Sequence, residues 1–363
     1  MISVIEIKQV LQKSLLLLLA VSSACSNRGD SYLISGEVEY VEEFPKELVI
    51  SDDKPYLEDF MGVVAMKGAD SLFLGIQEGA DHFVGIYSFA TGEKLADAFK
   101  KGQGPNEYSS WPGVVKTYEK DDSLYALLSA SRVGLITLNL TSTVNSGTEQ
   151  ITEIHMPSYK WGASFIPLEN GDTMVQILNP YDKGGYSRKL ISGHEMTDIP
   201  NLGDLDAIWT DVNNNTLGGI IFPIKGDSVI VEAMNELNQI MVYSLYDPQL
   251  RKTICVGNHL NTVEKETFFS RQNRTTNYDG IQQWNDYIFF LYSPTTEREF
   301  RANKGKSQLQ VFDQDMKPVV RIQLPVLIQS FYLNKDGVLY GFNPVAETET
   351  LYRWDIIDLI NQF

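Results

Sequence analysis

Apolar and polar side chains alternate in short runs along most of the chain, and this period of two fits half-buried β-strands. HFVGIYSF, RVGLITLNL, QIMVYSLY, SQLQVFD and ETLYRWD are the clearest runs. Helical periodicity is nearly absent beyond the N-terminus, and the tail 356–363, IIDLINQF, reads as a short helix or a final edge strand. Turn signals punctuate the runs. GADSLFL, KDDSLYA, NGDTMVQ, KGDSVIV, WNDYIFF and KDGVLYG each set a polar turn directly ahead of an apolar run. Their aspartates, Asp70, Asp122, Asp172, Asp227, Asp286 and Asp336, recur every 50–59 residues. Asp, Asn and Gly suit such hairpins because they tolerate positive φ or bond to the turn's own backbone.

A second mark precedes each turn. Gly62, Gly113, Gly162, Gly219 and Gly280 open the strand before it, with Ser330 in the sixth copy. Glycine there suits a point where backbones approach closely. Each unit holds about four strands, so the repeat predicts an all-β, six-bladed propeller over 32–363. A large sandwich or barrel is the competing architecture. Closure of the ring is expected from pairing of N- and C-terminal strands, with 32–40 or 47–50 supplying outer strands to the sixth blade.

The first residues read as an export signal. Lys8 and Lys13 precede the apolar run 15–21, which is too short to span a bilayer as a helix. Ser22, Ser23 and Ala24 then lead into Cys25, an ending that resembles a bacterial lipobox. The resemblance implies cleavage after residue 24, acylation of Cys25, a polar tether over 25–31, and residence as an outer-membrane lipoprotein facing periplasm or surface. The formal net charge is −17, and no run of Lys or Arg offers nucleic acid a footing. Membrane contact is expected through the lipid alone. With Cys25 acylated, Cys255 has no partner for an intrachain disulfide and reads as a buried, inert thiol.

GQGPNEY, residues 102–108, follows KKG at the end of the first unit. It resembles the G-x-G-P-x-E-[YF] signature of exported, TolB-like six-bladed propellers, abundant as lipoproteins in Bacteroidetes, with Asn106 where glycine is common. A phosphate-loop reading fails, since no Gly-Lys-Ser/Thr ending and no helix follow. Gly102, Gly104, Pro105, Glu107 and Tyr108 read instead as a structural turn. Glu107 is expected to accept backbone N–H groups, Tyr108 to pack, and Gly104 to hold a backbone conformation that a side chain resists.

The aspartate turns and the turns between third and fourth strands share one face of the ring. Second-to-third loops and blade crossings share the other, and ligands are expected there, over the central channel. That face carries 78–82, 129–132, 179–186, 232–238, 292–307 and 343–350, with crossings at 102–111, 159–161, 203–215 and 257–278. Trp111 and Trp161 are candidate stacking platforms, Arg132 a candidate anion or carboxylate binder, and Tyr181, Arg271 and Arg274 further ligand contacts.

Catalytic signals are thin. There is no G-x-S-x-G and no H-E-x-x-H, and His82, His155, His194 and His259 lack ligand spacing. The DVNNN stretch from Asp211 lacks the glycine and final glutamate of a calcium loop. No cofactor or metal is called for by a local motif. The expected role is a monomeric binding or scaffolding module for a glycan, a peptide or an envelope protein. The alternative is a calcium-dependent hydrolase, lactonase or lyase using the channel, an analogy drawn from fold alone.

Overall fold

The computed structural model describes residues 38–130, 134–155, 163–178, 186–193, 195–199, 218–261 and 271–360. Cys25, Arg132, Trp161, Tyr181 and the side chain of Arg271 lie outside the described residues.

Six sheets follow one another in chain order, each begun by its inner strand. Blade one runs Val63–Ala69, Leu72–Gln77, His82–Ser88 and Lys94–Lys100. Blade two runs Gly113–Lys120, Ser123–Ala130, Gly134–Asn139 and Ile151–His155, and blade three Ala163–Pro167, Thr173–Leu178, Tyr186–Ser192 and Glu195–Asp198. Blade four uses Gly219–Ile224, Val229–Met234, Gln239–Ser244 and Arg251–Val256. Thr275–Trp284, Tyr287–Thr296, Gln308–Asp313 and Pro318–Gln323 make blade five, and Ser330–Leu333, Val338–Asn343 and Thr350–Asp355 make blade six.

The apolar core is divided in the same way. Six clusters of buried side chains lie between successive blades, and the last of them joins blade six back to blade one. In that closing cluster Phe89 stacks on Tyr340, with ring centroids 4.0 Å apart. Gly68 lies against the ring of Tyr332, where a β-carbon would come within 2.0 Å, and the Asp70 N–H donates to the Tyr332 hydroxyl at 2.8 Å. A sheet whose two faces are both apolar must be covered on both, and a ring of blades does this without ends.

The aspartate turns join first and second strands as the repeat predicts. Asp70, Asp122 and Asp227 have φ of 52°, 56° and 62°, the left-handed region that Asp tolerates. The glycines ahead of them are crowded. A β-carbon on Gly62 would approach Glu78 O to 2.8 Å, and one on Gly219 would meet Ala233 O at 3.0 Å.

Ring closure differs from expectation in its strands. Val38–Val41 pairs in parallel with Arg251–Val256, the outer strand of blade four, and Glu47–Val49 pairs in parallel with Pro318–Gln323 of blade five. Neither serves blade six. The N-terminal segment reaches that blade later, where Leu57 and Leu351 exchange N–H···O bonds of 3.1 and 2.8 Å. The reason is geometric: strands near 40 and 50 are threaded along the rim before the chain turns inward at Phe60, leaving only 56–57 opposite Thr350–Asp355. Val41, Phe44 and Ile50 are buried along this strap.

Of the two readings of the tail, the helix is observed, over Ile357–Ile360. No helix among the described residues is long and apolar enough to cross a membrane.

Candidate functional site at the channel mouth

Blade five breaks the register of its neighbours. Its first two strands are each ten residues long, and the inner one begins at Thr275, five residues before Gly280. The extra length is taken up by irregularities between Thr276 and Tyr278 and between Tyr278 and Gly280. Bulges also interrupt the inner strands of blade one, between Val63 and Ala65, and of blade two, between Val114 and Lys116. A bulge adds an unpaired residue and turns its side chain out of the alternating pattern. Val64 and Asp279 are two such residues, and both line a cavity at the crossing face.

The cavity has a volume of about 480 Å³, within the range typical of small-molecule sites. Blade one contributes Val64 and Glu78, and blade four Glu236. Blade five contributes Arg274, Thr276, Asp279, Thr295, Glu297, Phe300 and Arg301, and blade six Gln329, Pro344 and Val345. Glu297 and Arg301 belong to a short helix, Glu297–Arg301, started by a capping box. The Thr296 hydroxyl accepts from Glu299 N–H, and the Glu299 carboxylate accepts from Thr296 N–H.

The guanidinium groups are committed to carboxylates. Buried Arg274 donates to Glu236 at 3.2 Å, and Arg301 donates to Glu297 from two nitrogens at 3.0 and 2.8 Å. Asp279 and Glu78 make no ion pair and no side-chain hydrogen bond among the described residues. Burial pushes the Asp279 carboxyl up to about 7. The Gln329 Oε1 is closed off from solvent and has no hydrogen-bond partner.

Of the sequence candidates, Arg274 is brought to the cavity wall, as a partnered group rather than a free anion binder. Trp111 is 48% exposed on the crossing at the entry to blade two and is not part of the cavity lining. The stretch 102–108 is a closed turn, with Gly102 N–H donating to Tyr108 O at 3.0 Å and Tyr108 N–H to Lys100 O at 2.8 Å. Glu107 accepts from Gly104 N–H and from Lys100 Nζ, both at 2.9 Å, and these bonds hold it below the ordinary carboxylate range. Tyr108 packs edge-on against Phe99 at 5.0 Å. The constrained glycine is Gly102 rather than Gly104. Gly102 has φ 155°, and a β-carbon there would come within 1.9 Å of the Glu107 carboxylate, whereas Gly104 lies outside the positive-φ set. Asn106, at φ 62°, takes the left-handed position.

Asp279 and Gln329 were missed by sequence reasoning. A charged residue directly before the strand-opening Gly280, in YDG, was the available signal for the first. Gln329 precedes Ser330 in the same register and carries no comparable mark. Cys255 is buried, bonded to His259 O at 3.2 Å, and its thiol is pushed up to about 11 by burial, as suits an inert role. No group of three or more His, Cys, Asp or Glu side chains among the described residues is placed to hold a metal ion.

No protein-family model matches the chain, and no curated protein matches it. Among solved structures, a member of the DUF4221 family from Bacteroides vulgatus is similar at 11% identity, with 85% of this chain and 96% of that chain covered and a TM-score of 0.48. The endo-arabinase from Bacteroides thetaiotaomicron is similar at 13% identity over 68% of this chain and 95% of that chain, with a TM-score of 0.34. Both scores lie below 0.5, so the six-blade assignment rests on the sheet order and the inter-blade clusters described above.

Proposed function

We propose that this chain is an exported, lipid-anchored binding propeller that holds its ligand at the channel mouth. The observation that carries the reading is the cavity itself: four blades converge on it, and it keeps carboxyls without partners among the described residues at Asp279 and Glu78. Carboxyls that face a cavity without an internal partner are available to a ligand. The lipobox-like ending at Cys25 and the GQGPNEY resemblance support the exported, TolB-like part of the reading. The partner classes are a glycan, a peptide or a segment of an envelope protein.

A second reading is a channel hydrolase, lactonase or lyase. It draws on one observation, a carboxyl near neutrality sharing a cavity with three glutamates, the kind of environment that separates an acid from a base. Thermal melting of the full chain with glycan and peptide panels, with calcium and with EDTA, tests both readings. A saturating ligand raises stability by about 2.7 kcal/mol at a hundredfold excess over Kd. Stabilisation by a glycan or peptide that is weakened in Glu78→Gln supports the binding module. Stabilisation by calcium together with turnover of a panel member favours the enzyme. Binding that survives every change at the cavity overturns the mouth as the site.

A further inference from the structure

We infer that the ligand group received at the mouth is a cation, an alkylammonium or guanidinium, held by Asp279 with Glu78 on the same cavity wall. This rests on reading the mouth as the binding site. Both guanidinium groups of the lining are already neutralised, Arg274 by Glu236 and Arg301 by Glu297. What remains is two carboxyls, Asp279 and Glu78, without partners among the described residues. An anion would find no uncommitted positive group here. The four carboxyls and two guanidiniums of the lining leave it negative, and the whole chain, at −17, adds a field of the same sign.

Asp279 is the informative member. A bulge places its carboxyl on the cavity, where solvent is too restricted to hold the charge comfortably. An incoming cation supplies the missing counter-charge. The charged groups sharing the cavity are Glu78 from blade one, Glu236 from blade four, and Arg274, Glu297 and Arg301 from blade five; blade six adds none. Burial raises the Asp279 carboxyl to about 7, so acidification below neutrality protonates it and releases the cation.

The test is calorimetric titration of the full chain with 1,4-diaminobutane and with Gly-Lys-Gly, beside 1,4-butanediol and succinate as uncharged and anionic controls. At least one amine is expected to bind, and which one distinguishes a free polyamine from a basic peptide side chain. Affinity should be about 30-fold weaker at pH 5.5 than at pH 8.5, following the ionised fraction of one carboxyl near 7. Asp279→Asn should weaken binding at least about tenfold and abolish the pH dependence, the loss of one charge-assisted contact. Glu78→Gln, at an exposed position that leaves the fold untouched, should weaken binding by a smaller factor. If butanediol or a sugar binds at the mouth and neither amine does, the inference falls while the mouth remains the site. If no probe binds and no panel ligand stabilises the chain, both fall. Amine binding unchanged in Asp279→Asn overturns the assignment to that residue.

Discussion

Between blades three and four, Arg188 and Glu232 are 2% and 0% exposed, and every contact of the carboxylate is filled. The Arg188 guanidinium donates to both its oxygens at 2.9 and 2.8 Å, Gln176 adds a bond of 3.1 Å, and the Tyr243 hydroxyl another of 3.1 Å. At the mouth between blades five, six and one, Asp279 is half-buried on the cavity wall, and no donor meets it among the described residues. The two carboxylates have the same chemistry and opposite settings. A charge buried among its partners joins two blades. A charge held short of partners is a cost to the fold, and such costs collect where a site needs the group uncommitted.

The comparison is broken most sharply at Glu232. Glu232→Ala strands the Arg188 charge in a dry interface, and a loss of about 3–5 kcal/mol is expected in denaturant unfolding. Replacing Arg188 and Glu232 together by Met should recover most of that loss, because an apolar pair of similar volume needs no solvation. A single-variant loss under about 1 kcal/mol would show that the buried pair does not hold the two blades together.

A smaller effect sharpens the same contrast in the signature turn, where satisfied and crowded groups also lie side by side. Gly102→Ala drives a β-carbon into the Glu107 carboxylate and forces an unfavourable φ, with an expected loss of about 1–3 kcal/mol. Gly104→Ala should stay within about 1 kcal/mol, since its backbone is ordinary and the Glu107 side chain can give way. Equal losses, read from melting curves, would return the constraint to Gly104.

Much of this molecule was legible in the chain because its repeat is written in turn chemistry. Asp70, Asp122 and Asp227 take positive φ, Gly62 and Gly219 lie at close approaches, and these demands recur at matching places in blades one, two and four. The face of the site was legible too. Glu78, Glu236, Arg274, Thr295, Glu297, Phe300, Arg301, Pro344 and Val345 all fall in segments assigned to the crossing face by strand parity alone. The short helix at the rim carried its own signal, the T-x-x-E of Thr296 and Glu299, which strand periodicity overshadowed. Asp279 and the parallel docking of Val38–Val41 were not legible. A bulge depends on how two strands pair, and a strap on which outer edge it meets; neither leaves a period in the sequence.

The most direct test of the account is the melting temperature of Asp279→Asn against the unaltered chain between pH 4 and pH 8. The folded Asp279 carboxyl is raised from 3.8 to about 7. The stability it contributes is therefore full below about 4 and is lost as pH rises through 7. The variant escapes that loss. It should melt with the unaltered chain at pH 4 and above it at pH 8, by the equivalent of about 2–4 kcal/mol. A variant that melts lower at pH 8, or by the same margin at every pH, would show that Asp279 has a partner in the fold and would remove the cavity's unpaired charge.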